Sequence, residues 1–411
     1  MKTISKKLIA MRIRYLLFFA LIAFLSGCNQ SDTLNIVRNN DTAYEIVLPK
    51  NPDEHLKKAG SELQSYLGQI TSVTLPIVKI GNETTGKKKI ILRSFPGEPD
   101  HAIHIKNEGD TLVIGGGISQ STLYATYEFL ERFAGCKWYS PEVEKIPSMG
   151  NFSLEKPVNY HYTPEITTRT VHSRLFYENP DFADKQKVTH EAFPGYVPTA
   201  RVHTFHRLVP ERFFFFFYPE YYAWRNGKRL PTQLCLTNEE VLAIVKDSVR
   251  TWFERNPDEK VISVSQDDNT LHCQCDHCRK VDEAEGSPAG TMIRFVNEVA
   301  EEFPGKTIST LAYQYTRKPP QTKPADNVLI TLCSIECDRS GPIEEKCTAF
   351  ADDLKGWKKL TDNIRIWDYT TQFTNFLAPF PNIHTLQSNI RFFRDNHAKW
   401  IFEQHSHHPS E

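Results

Sequence analysis

Val261-Ile262-Ser263-Val264-Ser265 runs straight into Gln266-Asp267-Asp268, and the same design recurs three more times toward the carboxyl end. Val328–Cys333 runs into Ser334-Ile335-Glu336, Ile364–Trp367 into Asp368, and Lys399–Phe402 into Glu403. A short apolar run without polar alternation reads as a strand covered on both faces, the mark of a parallel sheet. Acids at the carboxyl ends of such strands fit a closed barrel with its active site at that mouth. Paired carboxylates in a groove are the usual apparatus for cutting glycosidic bonds. Asp267, Asp268, Glu336, Asp368 and Glu403 are therefore the candidate catalytic acids of a sugar-processing enzyme.

Working outward, strand signals also fall at Arg169–His172, Arg201–Phe205, Gln233–Leu236 and Ile308–Tyr313. Helix signals between them include Asn238–Arg255 and Ser287–Phe303. Eight strands alternating with helices is the count of a TIM-type (β/α)8 barrel, an α/β fold. The chain ends at Glu411, just past strand eight, and the tail His405–Glu411 has no apolar stripe. The barrel is thus expected to be truncated, with its last helix missing.

Ahead of the barrel, Leu34 to about Ser153 reads as a small α/β domain. Its strands are Leu34–Val37, Tyr44–Leu48, Leu75–Ile80, Lys89–Leu92, Ile103–Lys106 and Leu112–Ile114. Asn107-Glu108-Gly109-Asp110 supplies a hairpin turn between the last two. Leu56, Ala59, Leu63, Tyr66, Leu67 and Ile70 recur at the spacing of one buried helix face. A second helix starts near Ser119 or Ser121, either able to cap it, and stops at Gly135. Gly115-Gly116-Gly117 just before it lacks the dinucleotide and P-loop patterns, so a tight strand-to-helix turn is the better account than a phosphate cradle. Asn151–Pro164 is a plausible linker, which places the domain division at 28–160 and 161–411.

Lys2, Lys6, Lys7, Arg12 and Arg14 precede an apolar stretch, Tyr15 to Leu25, that is too short to span a bilayer. It ends in Leu25-Ser26-Gly27-Cys28, which resembles the bacterial lipobox. Residues 1–27 are expected to be a signal peptide and Cys28 the lipidated first mature residue, giving a membrane-anchored lipoprotein at the periplasm or cell surface. The whole chain has 49 Lys+Arg against 50 Asp+Glu; removing the five basic signal residues leaves 44 against 50, a net charge of −6. That balance argues against a nucleic-acid partner, which would call for a basic face.

Several other groups carry chemistry. Trp224, Tyr313, Tyr315, Trp367 and Tyr369 are candidate stacking surfaces for sugar rings, though barrel-mouth packing explains any one of them equally well. His172, Arg174, His203 and His206 sit at or after early strands and could bind hydroxyls or a uronate carboxylate; Asn269, beside the acid pair, joins the substrate-binding set. Cys273-Gln274-Cys275-Asp276-His277-Cys278 brings three thiols close enough to hold zinc, with His272, His277 or a distant Cys as fourth ligand. Outside the cytoplasm a disulfide competes for the same residues. Such a metal would be structural; no cofactor is expected for catalysis. Cys333, Cys337 and Cys347 could form a further bridge.

Gly115-Gly116-Gly117, Thr122-Leu123-Tyr124-Ala125, Glu128-Phe129-Leu130 and Gly135-Cys136-Lys137-Trp138-Tyr139 carry a resemblance. They make Leu34–Pro147 similar to the accessory α/β domain that precedes the barrel in bacterial alpha-glucuronidases and beta-hexosaminidases. The remainder resembles the barrel of a bacterial lipoprotein family of unknown function that follows such a domain. Its marks here are Val264-Ser265-Gln266-Asp267-Asp268-Asn269, the cysteine run, Phe295-Val296-Asn297, Leu311-Ala312-Tyr313-Gln314-Tyr315, Ser334-Ile335-Glu336-Cys337 and Trp367-Asp368-Tyr369-Thr370. The resemblance covers nearly all of the mature chain and implies a glycosidase-like barrel. Beta-hexosaminidases place an adjacent acid pair at the end of the fourth strand, where Asp267 and Asp268 stand here. The family continues well beyond strand eight, and Phe213–Phe217 is an unbroken aromatic run where relatives carry mixed polar residues. The expected function is a glycoside hydrolase acting on an oligosaccharide or polysaccharide; the alternative is a non-catalytic glycan-binding surface lipoprotein.

Overall fold

Runs of β-branched residues alternating with amphipathic helices build two layered α/β units. The structure, a computed structural model, describes residues 32–189, 191–375 and 378–405. The expected signal peptide, the lipidation site Cys28 and the end of the tail lie outside the described residues. Of the described residues, one unit comprises those up to Lys137 together with Glu144–Thr163; the other comprises Trp138–Val143 and those from Pro164 onward. Among the described residues, no helix is long and apolar enough to cross a membrane.

In the first unit a six-stranded sheet has the order Asn159–Tyr162, Ile103–Glu108, Thr111–Gly116, Lys88–Ser94, Tyr44–Leu48, Ile77–Lys79. The last four strands are mutually parallel, and Ile103–Glu108 runs antiparallel to both of its neighbours. Glu108 pairs with Thr111, leaving Gly109-Asp110 as a two-residue turn with Gly109 at φ 63°. The helix Glu54–Thr71 is capped by Asp53, whose Oδ1 accepts the Leu56 N–H at 3.0 Å, and it buries the stripe read from its spacing. Before the helix Ser119–Arg132 the glycines serve close approach. A Cβ on Gly115 would lie 2.1 Å from the Arg93 carbonyl oxygen, and one on Gly117 2.0 Å from that of Pro99.

The second unit holds a curled parallel sheet in the order Thr168–His172, Ala398–Gln404, Ile364–Tyr369, Val328–Cys333, Thr307–Ala312, Val261–Ser263. Helices Glu239–Arg255, Ala289–Ala300, Thr348–Lys358 and Ile383–Asp395 pack on its outer face. Period-two alternation sorts each strand. Ile308, Ala312, Ile330, Leu332, Ile364, Ile366 and Ile401 join the core shared with the helices. Arg365, Trp367 and Tyr369, with Trp400, Phe402 and Gln404, face the other way, into the curl. There the buried Arg365 guanidinium sits 4.4 Å from the Phe193 ring and 4.5 Å from that of Trp400.

Two of the eight expected strands are corrected. Arg201–Phe205 is not a strand. His203 takes φ 51°, and a short helix begins at Phe205. The stretch still lies along Val261–Ser265: Ser263 N–H donates to the Ala200 carbonyl and Thr204 N–H to that of Ser265. Thr204 Oγ1 donates to Ser263 O at 2.8 Å, so a side chain stands in for part of the ladder. Gln233–Leu236 belongs to no parallel strand either. Lys228–Leu234 pairs antiparallel with Tyr222–Arg225 about Asn226-Gly227, both at positive φ. Asn-Gly is the preferred pair for a two-residue hairpin turn. The two edges of the six-stranded sheet each make one bridge to the intervening stretch, Thr170 with Thr189 and Val261 with Tyr196.

Candidate functional site

At the carboxyl ends of these strands the inward-facing residues enclose a cavity of about 340 Å3. Leu311 and Tyr313, Cys333 and Ile335, and Trp367 and Tyr369 arrive as alternate residues of three neighbouring strands or of the chain just past their ends, with Gln404 from a fourth. Val202 and His203 come from the irregular stretch, Asp268 from the loop after Val261–Ser263, and Phe373 from the loop after Tyr369. Tyr313 donates its hydroxyl to Asp268 Oδ1 at 3.1 Å. Burial first, and then the Asp268 charge, raise the Tyr313 pKa, which keeps that donor in place. His203 Nδ1 lies 2.8 Å from the Gln266 carbonyl oxygen, so Nδ1 carries the proton of that bond and Nε2 is the ring's other polar atom. Trp367 Nε1 donates to Gln404 Oε1 at 2.7 Å, fixing the indole as part of the wall.

The five candidate acids do not gather there. Asp268 is the carboxylate among the residues lining the cavity. Asp267, its neighbour, turns the other way and meets His206 Nδ1 at 2.6 Å. Burial raises its pKa and the His206 contact opposes that shift. Asp368 and Glu403 continue the outward series of Ile364-Ile366 and Ile401, so strand alternation takes them off the cavity. They face each other across adjacent strands. Asp368 is held by the Ser334 hydroxyl and lies 3.5 Å from Arg339 Nη2. Burial, and then the charge of Asp368, push the Glu403 carboxyl well above the ordinary carboxylate range. Glu336 is exposed and pairs with Arg317 Nη1 at 3.3 Å. The expected pairing of Asp268 with Asp368 across the mouth is therefore corrected.

Of the expected binding residues, His203, Tyr313, Trp367 and Tyr369 line the cavity. His206 is committed to Asp267. Asn269 is consumed by its own loop, donating to Thr232 O at 3.0 Å and accepting from Leu271 N–H at 3.0 Å. Arg174 pairs with Glu178 at the surface. His172 lines a separate hollow with Tyr177 and Arg201. Trp224 lines another, of about 640 Å3, with Arg225, His272 and Asp282. Tyr315 stacks on His272 with ring centroids 4.5 Å apart, outside the mouth cavity. The sequence reading missed Val202, Leu311, Cys333, Ile335, Phe373 and Gln404. Period-two counting back from Tyr313 could have found Leu311, whereas Cys333 and Gln404 reach the wall as register partners of Trp367 and Tyr369.

Cys273, Cys275 and Cys278 converge with Cys235, the distant cysteine left open by the sequence. All four sulfur atoms lie within 4.8 Å of one another, and the group includes neither His272 nor His277. Cys337 and Cys347 form a disulfide, while the Cys333 thiol is buried and pushed up by that burial.

The curled parallel sheet and its mouth fall within a stretch whose sequence assigns a family. Residues 138–411 match the family described as "Domain of unknown function (DUF4838)", and the chain belongs to it. No curated protein matches the sequence. Among solved structures, the chain is similar to the Streptomyces plicatus N-acetyl-beta-hexosaminidase in complex with thio-NAglucal, at 13% identity and TM-score 0.48, over 92% of this chain and 83% of that one. It is also similar to a beta-N-acetylhexosaminidase from Bacteroides fragilis (10% identity, TM-score 0.45, 86% and 77%). A third is a GH115 4-O-methyl-alpha-glucuronidase with specificity for decorated arabinogalactans (10%, TM-score 0.48, 91% and 55%).

Proposed function

We propose that the mouth cavity binds a sugar residue of an oligosaccharide or polysaccharide, and that the protein is a glycoside hydrolase in which Asp268 faces the scissile bond. One observation carries this reading: Asp268, bonded to Tyr313, faces a cavity walled by Trp367, Tyr369 and Phe373. Aromatic faces take the apolar side of a sugar ring, while His203 Nε2 and Gln404 offer polar contacts to hydroxyls. A carboxylate at this position serves as general acid or base. The expected lipid anchor at Cys28 would hold the site outside the cytoplasm, and the Cys337–Cys347 disulfide supports an oxidising compartment.

A second reading is capture without turnover. The common two-carboxylate mechanism needs a partner acid, and Asp268 has none among the described lining residues. Both readings are separated by screening the purified chain and Asp268→Asn on aryl glycosides and oligosaccharides, with calorimetry for binding. Hydrolysis reduced by roughly 10²–10⁴-fold in the variant, with binding kept, supports the hydrolase. Binding with no turnover by either protein assigns capture. Neither binding nor turnover on any glycan refutes both.

A further inference from the structure

We propose that Cys235, Cys273, Cys275 and Cys278 bind one structural zinc ion, and that this ion fixes the loop carrying Asp267 and Asp268. The geometry is that of a tetrathiolate site. Zinc with four Zn–S bonds of about 2.3 Å in a tetrahedron sets its sulfurs roughly 3.8 Å apart. Cys235 Sγ lies 3.7 Å from Cys275 Sγ and 3.9 Å from Cys278 Sγ. A disulfide would need about 2.05 Å and would serve only two of the four.

The surroundings suit thiolates. The Trp224 N–H donates to Cys273 Sγ at 3.3 Å, and the Thr237 hydroxyl lies 3.2 Å from Cys278 Sγ. Cys278 also sits in the first turn of the helix Asp276–Glu285, where negative charge is favoured. Cys235, Cys273 and Cys278 are buried, in a small cluster with Ala223, Cys275 is half-buried against them, and none of the four lines the mouth cavity; four sulfur ligands fill a tetrahedral ion's coordination. A closed four-sulfur site is structural rather than catalytic.

The four ligands come from two segments that share little regular pairing. Cys235 follows the strand Lys228–Leu234, and the other three follow the loop beyond Ser265. Just ahead of Cys235, Gln233 grips that loop: its Nε2 donates to the carbonyls of Asp267 at 2.8 Å and Asn269 at 3.0 Å, and its Oε1 accepts the Asp267 N–H at 3.0 Å. The ion thus locks the hairpin whose edge holds the acid-bearing loop in register.

The test uses the full chain purified under reducing conditions, with metal content by elemental mass spectrometry. About one zinc per chain is expected. Cobalt substituted for zinc should give the spectrum of a tetrahedral four-sulfur site, a readout that needs no variant. Cys235→Ser and Cys278→Ser should lose the stoichiometric zinc. Hydrogen exchange at residues 266–271 should quicken when a strong chelator strips the ion. A metal-free protein whose four thiols are oxidised in pairs, stoichiometric iron, or a cobalt spectrum without sulfur-to-metal charge transfer would overturn the site. Exchange at 266–271 unaltered by metal removal would overturn its role at the mouth. None of these readouts depends on whether the protein cleaves sugars.

Discussion

Replacing Gln233 with leucine removes three hydrogen bonds from the loop that presents Asp268, at nearly constant side-chain volume. Gln233 is only 2% exposed, so water cannot take over what its amide gives up. Each net bond contributes about 1 kcal/mol, and stranded buried carbonyls raise the cost, so the expected loss is about 3 kcal/mol. For a unit of this size that lowers the melting temperature by roughly 6–12 °C. The asymmetry matters more than the total. The bonds end on Asp267 and Asn269, which flank the cavity carboxylate. Glycan affinity or turnover should therefore fall at temperatures where the variant is still fully folded. The assay pairs a calorimetric melt with hydrogen exchange at residues 266–271 and a binding isotherm at 20 °C or so below the melt. A variant that melts within about 2 °C of the parent, with unaltered exchange in that loop, would refute the claim that Gln233 holds the mouth.

Three further outcomes follow from the same geometry. Tyr313→Phe deletes the hydroxyl on Asp268 and keeps the ring; turnover should drop roughly 10- to 100-fold, the rate equivalent of one hydrogen bond to a charged group, with glycan affinity nearly unaltered in the isotherm. Glu403→Gln probes the outward acid pair. A carboxyl raised in the folded state stabilises the fold fully below its unfolded pKa, and that contribution is lost as pH climbs from about 4.5 through the raised value. Urea titrations at stepped pH should show the variant gaining on the parent as pH rises, and parallel curves would sink the assignment. Cys347→Ser opens the disulfide to Cys337, a closed loop with a sequence separation of 10, and chain-entropy reasoning puts the loss at roughly 2–3 kcal/mol in the urea midpoint.

Much of the fold was legible because burial on both faces writes itself as an uninterrupted apolar run. Val328–Cys333 and Ile364–Trp367 appear as strands in place. The same property hid the site. A run without polar alternation does not say which residues face the cavity, so an acid at its end is as easily outward as inward. Ile364-Arg365-Ile366-Trp367-Asp368-Tyr369 held the answer in its pairing. The isoleucines pack on helices, so the acid two residues after Ile366 goes with them, and Trp367 and Tyr369 go inward. The missed hairpin had a plain signal in Asn226-Gly227. The fourth cysteine had none, since Cys235 lies far from the other three in sequence and is brought to them only by the tertiary fold.

The irregular part of the second unit is also its mouth, and the coincidence has a physical reading. Between Thr189 and Phe205 regular strand pairing gives way to isolated bridges, and His203 and Gln314, non-glycine residues at φ 51°, stand in or beside the cavity wall. A left-handed backbone at such residues costs of order 1 kcal/mol or more and persists only where surrounding contacts over-determine it. Here those contacts are on view: His203 N–H donates to Ser265 Oγ at 3.1 Å while its ring takes the Gln266 carbonyl. On the other wall, Gln266 reaches Thr316 Oγ1 at 2.7 Å and the Tyr313 carbonyl at 3.1 Å. The segment Ser265-Gln266 thus holds His203 directly and the turn around Gln314 through Tyr313 and Thr316 on either side of it, directly ahead of Asp267 and Asp268. Strain stored on two sides of one carboxylate, and held by the residues that precede it, is the arrangement expected where a side chain must keep its aim without help from a regular sheet.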